Sequence, residues 1–243
     1  MNKVYFKLIG ASVVLTMVIS LFSAIGVIAE LSDNGIVLCQ IIAFLICSIV
    51  IYFYMKKKDP TLKQFGFKYV RPTVRLMSFM GVAVLIQPVI LGVNFTISFS
   101  TLILIFIQMV LVGFVEETLF RGIFFYALRE KTRMSAITFS SIVFGLLHIA
   151  SSLNPETVFI LVILQIINAL LLGFVFSVIY DKTHSIYTVI VFHALFNVFA
   201  TISNVSTVGK NCAAVAVLSI LYILFLINVR SKRINTETEK KER

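Results

Sequence analysis

Charge is what this sequence has least of. Only 13% of its 243 residues are Asp, Glu, Lys or Arg, while 59% are hydrophobic and the mean hydropathy is +1.02. A soluble domain carries about a quarter charged residues, so a soluble fold is excluded. The net charge of +10 is not that of a nucleic-acid-binding module, because the basic residues flank apolar runs. Cysteine is equally sparse: Cys39, Cys47 and Cys212 all fall inside such runs. An odd count without paired spacing supplies neither a disulfide framework nor a zinc signature. Internal repeats, low-complexity blocks and a separate soluble domain are also missing.

What is present is hydrocarbon-compatible length. Eight apolar runs stand at roughly 8–28, 36–55, 76–93, 100–127, 135–150, 157–179, 186–203 and 211–229, each near the length of about 20 residues that a membrane helix needs. The first is too long for a signal-peptide core and has no cleavage signature before Glu30, so it reads as a retained span. The expected fold is all-α: one integral membrane domain over 1–243, with eight transmembrane helices and both termini cytoplasmic. Of 21 Lys and Arg, only Lys210 falls in a loop assigned outside and only Arg121 lies within a span. That asymmetry follows the positive-inside rule, and the usage of Lys, Ile and Asn in a compact eight-span chain points to a multi-pass protein of a bacterial plasma membrane. The long loop from Lys56 to Arg75, broken by Pro60 and Pro72, reads as a solvated orientation signal, with a substrate-recruiting surface as the sharper alternative. Residues 231–243 mix both signs without apolar periodicity and read as a disordered cytoplasmic tail.

The few charges that enter the runs are the informative ones, since an ionisable group in hydrocarbon is costly unless it is paired or used. Of eleven Asp and Glu, only Glu116 and Glu117 lie within spans, joined by Arg121, His148 and His193. Glu117 and Arg121 stand i, i+4 on one helix and can pair; Glu116 is rotated from them by about 100°. Phe144 and His148 repeat the spacing, as do His193 and Asn197. Counted at about 1.5 Å per residue, Glu116, His148 and His193 lie roughly 17, 20 and 10 Å deep. A shared cavity between spans 4, 5 and 7 is therefore allowed. Gln165 and Asn168 read as packing contacts, and His184 as a solvated loop residue.

Hydrolysis of a peptide bond inside a membrane requires a water, a base for it and donors for the developing oxyanion. Glu116, His148, His193 and Asn197 supply those groups. H-E-x-x-H is absent; no metal is expected, and if zinc binds, its ligands are Glu116, His148 and His193. A non-catalytic immunity or scaffold protein, and a proton-coupled transporter, remain as alternative readings of the same residues.

Glu116-Glu117-x-x-x-Arg121, Phe144-x-x-x-His148 and His193-x-x-x-Asn197, in that order within 101–200, resemble the three motifs of the CAAX-processing and bacteriocin-processing (CPBP, or Abi) intramembrane proteases. Gly122 fits the Phe-Arg-Gly form of the first motif. The resemblance implies that Glu116 activates water with His148, that Glu117 assists, and that His193 and Asn197 form the oxyanion site. Arg121 would steady the carboxylate helix, with Phe144 in support. The implied partners are the bilayer and a membrane-associated peptide or lipid-linked protein, with no cofactor.

Overall fold

The structure, a computed structural model, describes residues 3–153 and 157–241. Among them the regular structure is helical, joined by loops, with one isolated antiparallel bridge between Val93 and Ser203. The helices are α1 (Lys3–Ile28), α2 (Asp33–Lys58), α3 (Val74–Leu91), α4 (Phe99–Ala127), α5 (Arg133–Leu147), α6 (Phe159–Thr183), α7 (Ile186–Thr201) and α8 (Val208–Lys241). Short hydroxyl residues start four of them. Ser32, Thr73, Ser98 and Thr132 each accept from a backbone N–H three residues on, satisfying a donor that the first helical turn leaves open.

Among the described residues, seven helices are long and apolar enough to cross a bilayer. The seventh apolar run, 186–203, became the 16-residue α7, about 24 Å long and short of the roughly 30 Å hydrocarbon core. It is wedged among α3, α4 and α6 and so needs little contact with lipid. The last helix extends as backbone to Lys241, across most of the tail for which disorder is expected; Lys, Arg and Glu are good helix formers. Residues 242–243 lie outside the described set.

Two ends of the bundle can be told apart by contacts alone. At one, Arg133 of α5 pairs with Asp181 of α6, and Phe65 stacks on Tyr126 of α4. There the Ile186 N–H, opening α7, donates to the Gly66 carbonyl. At the other, Asn34 of α2 accepts from Thr101 of α4, and the loop after α3 exchanges backbone bonds with the loop after α7. The first end carries the Lys and Arg clusters at 56–75 and 129–133 and is called the basic end below.

The loop at the basic end is more than a solvated signal. Lys63 and Lys68 are exposed, yet the backbone between them turns inward and leaves Phe65 fully buried. Asp59 ties the turn: one carboxylate oxygen accepts from the Thr61 N–H and hydroxyl, the other from the Gln64 N–H. Gly66 adopts φ +86°, and a Cβ there would lie 2.5 Å from the Tyr180 ring, so glycine is required by both conformation and space.

Close helix packing centres the site. A Cβ on Gly113 of α4 would meet the Ile190 carbonyl of α7 at 2.9 Å, and one on Gly145 of α5 would meet Leu170 of α6 at 2.7 Å. Small residues let membrane helices approach where no hydrophobic effect drives them together.

Candidate active site

α4 changes pitch where the acids stand. The Phe124 N–H bonds back five residues to the Leu119 carbonyl, so Thr118–Ile123 forms a π-helical turn, and all six of its residues are buried. Such turns disturb the regular ladder and often mark functional sites. Here Ser140 of α5 donates its hydroxyl to the Phe120 carbonyl at 2.7 Å, anchoring the turn to the neighbouring helix.

Glu117 sits just before this turn with no exposed surface. Its Oε1 accepts from Arg121 Nη1 at 3.1 Å and from His193 Nδ1 at 2.8 Å. Arg121, itself fully buried, donates from Nη2 to the Gly173 carbonyl of α6 at 2.9 Å, and its guanidinium lies 4.6 Å from the Phe144 ring centre and 5.3 Å from that of Phe176. One cation thus joins α4 to α5 and α6 while neutralising a carboxylate that hydrocarbon would penalise. A planar guanidinium suits this combination of two acceptors and stacked rings.

The second acid is placed differently. Glu116 keeps 19% of its side chain accessible, and its Oε2 lies 3.8 Å from His193 Nε2. His193 therefore stands between the two carboxylates, its ring stacked on Phe176 at 5.1 Å. Donation from Nδ1 to Glu117 fixes the imidazole orientation and turns Nε2 toward Glu116. Just past the end of α5, His148 donates from Nδ1 to the Phe144 carbonyl at 2.9 Å, since a carbonyl can only accept. Its Nε2 is left for another partner, and it lies within electrostatic reach of Glu116.

His148, His193 and Asn197 line one cavity of about 270 Å³. The cavity is expected between spans 4, 5 and 7; its wall is formed by α3, α5, α6, α7 and α8 with His148, while α4 supplies the carboxylates around His193. Asn197 has no side-chain hydrogen bond among the described residues and is half-buried. All seven residues singled out in the sequence, Glu116, Glu117, Arg121, Phe144, His148, His193 and Asn197, thus converge on one region. His184 stands apart, exposed in a left-handed turn at the end of α6.

A larger groove of about 560 Å³ lies nearer the basic end, between α3, α6 and α8. It contains no histidine or acid, so the smaller cavity is the one with chemistry. Among the described residues, no three His, Cys, Asp or Glu side chains are disposed to hold a metal ion. His193 and His148 are engaged through Nδ1, by Glu117 and by a carbonyl, which leaves each Nε2 facing the cavity side, and no step below runs through a metal.

Several participants are not readable as such in the sequence. Gln165 and Asn168, expected to be packing contacts, lie in the cavity wall with Gln87 and Asn211. Their amide character at membrane depth is the available signal. Gly173 acts through its carbonyl and Ser140 through a bond to main chain, roles that no residue type announces.

Residues 98–199, from the N-cap of α4 almost to the end of α7, match the family described as Rce1-like, type II CAAX prenyl endopeptidase Rce1-like. No curated protein and no solved structure matches the chain. The matched stretch contains Glu116, Glu117, Arg121, His148, His193 and Asn197, so the family region and the polar set coincide.

Proposed function

We propose, from the membership of residues 98–199 in the CAAX protease family, that this chain is an intramembrane endopeptidase cleaving a membrane-associated peptide or lipid-linked protein. The observation that carries the reading is the divided pair of carboxylates. Glu117 is held by Arg121 and His193, whereas Glu116 has no such clamp and faces His193 Nε2. A buried carboxylate with a fixed positive partner serves structure; a second, uncompensated one beside an imidazole is suited to moving a proton.

In this mechanism Glu116 takes a proton from a water held by His148 Nε2, and the resulting hydroxide attacks the scissile carbonyl. The Asn197 amide donates to the oxyanion, and so does His193 Nε2–H when the ring, already donating from Nδ1 to Glu117, carries its second proton. Collapse of the tetrahedral intermediate breaks the C–N bond, and the proton taken by Glu116 passes to the departing amine. Water and one peptide bond give one carboxylate and one amine. Glu117 and Arg121 hold the His193 ring and the helix in place throughout.

The test compares peptide fragments in membranes containing wild type, Glu116→Gln or His148→Ala, by mass spectrometry, with protein level and detergent behaviour matched. Loss of a general base costs about 10²- to 10⁴-fold, so product peptides are expected to disappear in both variants. Undiminished products from either folded variant would overturn the assignment. Survival of a protective phenotype without cleavage would favour the immunity or scaffold reading.

A further inference from the structure

We infer that substrate reaches the cavity from the face opposite the basic loops, so the substrate class is a peptide displayed on the extracytoplasmic side: an exported peptide or the outer portion of an anchored protein. What the cavity does there rests on the proteolytic reading above; where it opens is carried by packing and charge alone.

The wall runs in one direction. From the level of His193 it passes to Gln87 near the end of α3, Leu161 near the start of α6, Ala200 near the end of α7 and Asn211 near the start of α8. Every one of those termini belongs to the end away from the basic loops. Polar side chains recur in that otherwise apolar wall: Gln87, Gln165, Asn168 and Asn211. Asn168 Oδ1 is buried without a partner among the described residues, an acceptor placed to receive a peptide N–H, and buried polar atoms are rarely left unsatisfied.

The opposite direction is closed. Beneath Glu117 and Arg121 lie Phe124, Leu128 and Ile186, each at most 1% exposed, with Phe65 fully buried among them. The inward-turned loop seals this side: Phe65 packs on Tyr126 at 4.6 Å, and Phe67 sits against Phe114 and Tyr187. A peptide approaching from the basic end would have to displace that plug and unmake the Gly66–Ile186 backbone bond.

Charge then gives the two ends an orientation. The loops at the open end contain no Lys or Arg before Lys210, whereas those at the plugged end hold Lys63, Lys68, Arg71, Arg129 and Lys131. The positive-inside rule places such loops in the cytoplasm.

Single cysteines read by a membrane-impermeant maleimide test this without any activity assay. In a chain with Cys39, Cys47 and Cys212 replaced by alanine, Gln165→Cys and Ser206→Cys probe the open end and Lys131→Cys the plugged end. The two open-end variants are expected to be labelled in right-side-out vesicles and to lose that labelling in inverted ones; Lys131→Cys should show the reverse. Labelling of Gln165→Cys only from the cytoplasmic side would overturn the inference, as would its failure from both sides while Ser206→Cys and Lys131→Cys react. Either result leaves proteolysis untouched, and a cleavage-dead enzyme with outward labelling refutes only the catalytic reading.

Discussion

Removing the Arg121 guanidinium strands Glu117 in hydrocarbon and frees the Gly173 carbonyl at the same time. Breaking a buried pair by deleting one partner costs about 3–5 kcal/mol, so Arg121→Ala is expected to lower the thermal midpoint in detergent sharply. Arg121→Lys should rescue little, because one ammonium cannot reproduce both bonds and the contacts with Phe144 and Phe176. Glu116→Gln, by contrast, should melt close to wild type. A stable Arg121→Ala protein would show that the pair is not structural. This contrast also measures what was legible in the sequence. The Glu117–Arg121 bond follows from i, i+4 spacing, and Glu116 emerges as the freer acid by helical rotation alone. The bond from Glu117 to His193 spans 76 residues and depends on how α4 meets α7. Spacing along a chain cannot report that.

Among elements, the spans were the legible part, because a bilayer imposes length and apolarity on any helix crossing it. The loop at 59–67 was not, since its inward turn depends on Asp59 and Gly66, which look like ordinary loop residues. Asp59 accepts from the Gln64 N–H first and the Thr61 hydroxyl next, and these bonds hold its carboxyl below the usual carboxylate range. A depressed acid stabilises the folded loop above its unfolded value, near 3.8, and that contribution fades as pH falls through the lower folded value. Amide exchange in 59–67 is therefore expected to stay slow from neutral pH down to about 4 and to rise below that. Asp59→Asn, which loses the charged acceptor, should exchange faster at neutral pH and respond less to acid. A pH-independent exchange rate in the wild type, corrected for intrinsic chemistry, would contradict this role.

For the molecule as a whole, the charges at the site are two carboxylates and one guanidinium: Glu117 is matched by Arg121, and Glu116, beside the His193 imidazole, can be balanced by a proton shared with that ring rather than by a further cation. Purified protein is accordingly expected to keep cleaving after treatment with a strong chelator and to hold no stoichiometric zinc by elemental analysis. Loss of cleavage that zinc restores would replace the glutamate mechanism with a metal one.

The π turn at Thr118–Ile123 makes α4 behave as two helices out of phase. One additional residue in a single turn advances everything beyond it by about 100°, so the half carrying Glu116 and the half meeting Phe65 are indexed separately. The catalytic face and the sealing face can each be aimed at its own target on one continuous rod. Forcing the turn to ordinary pitch with every residue kept would leave both sequences intact but wrongly clocked, with the acids or the seal facing the wrong neighbour. In that sense the turn is the molecule's phase setting, and the two ends of the bundle are kept in register by it.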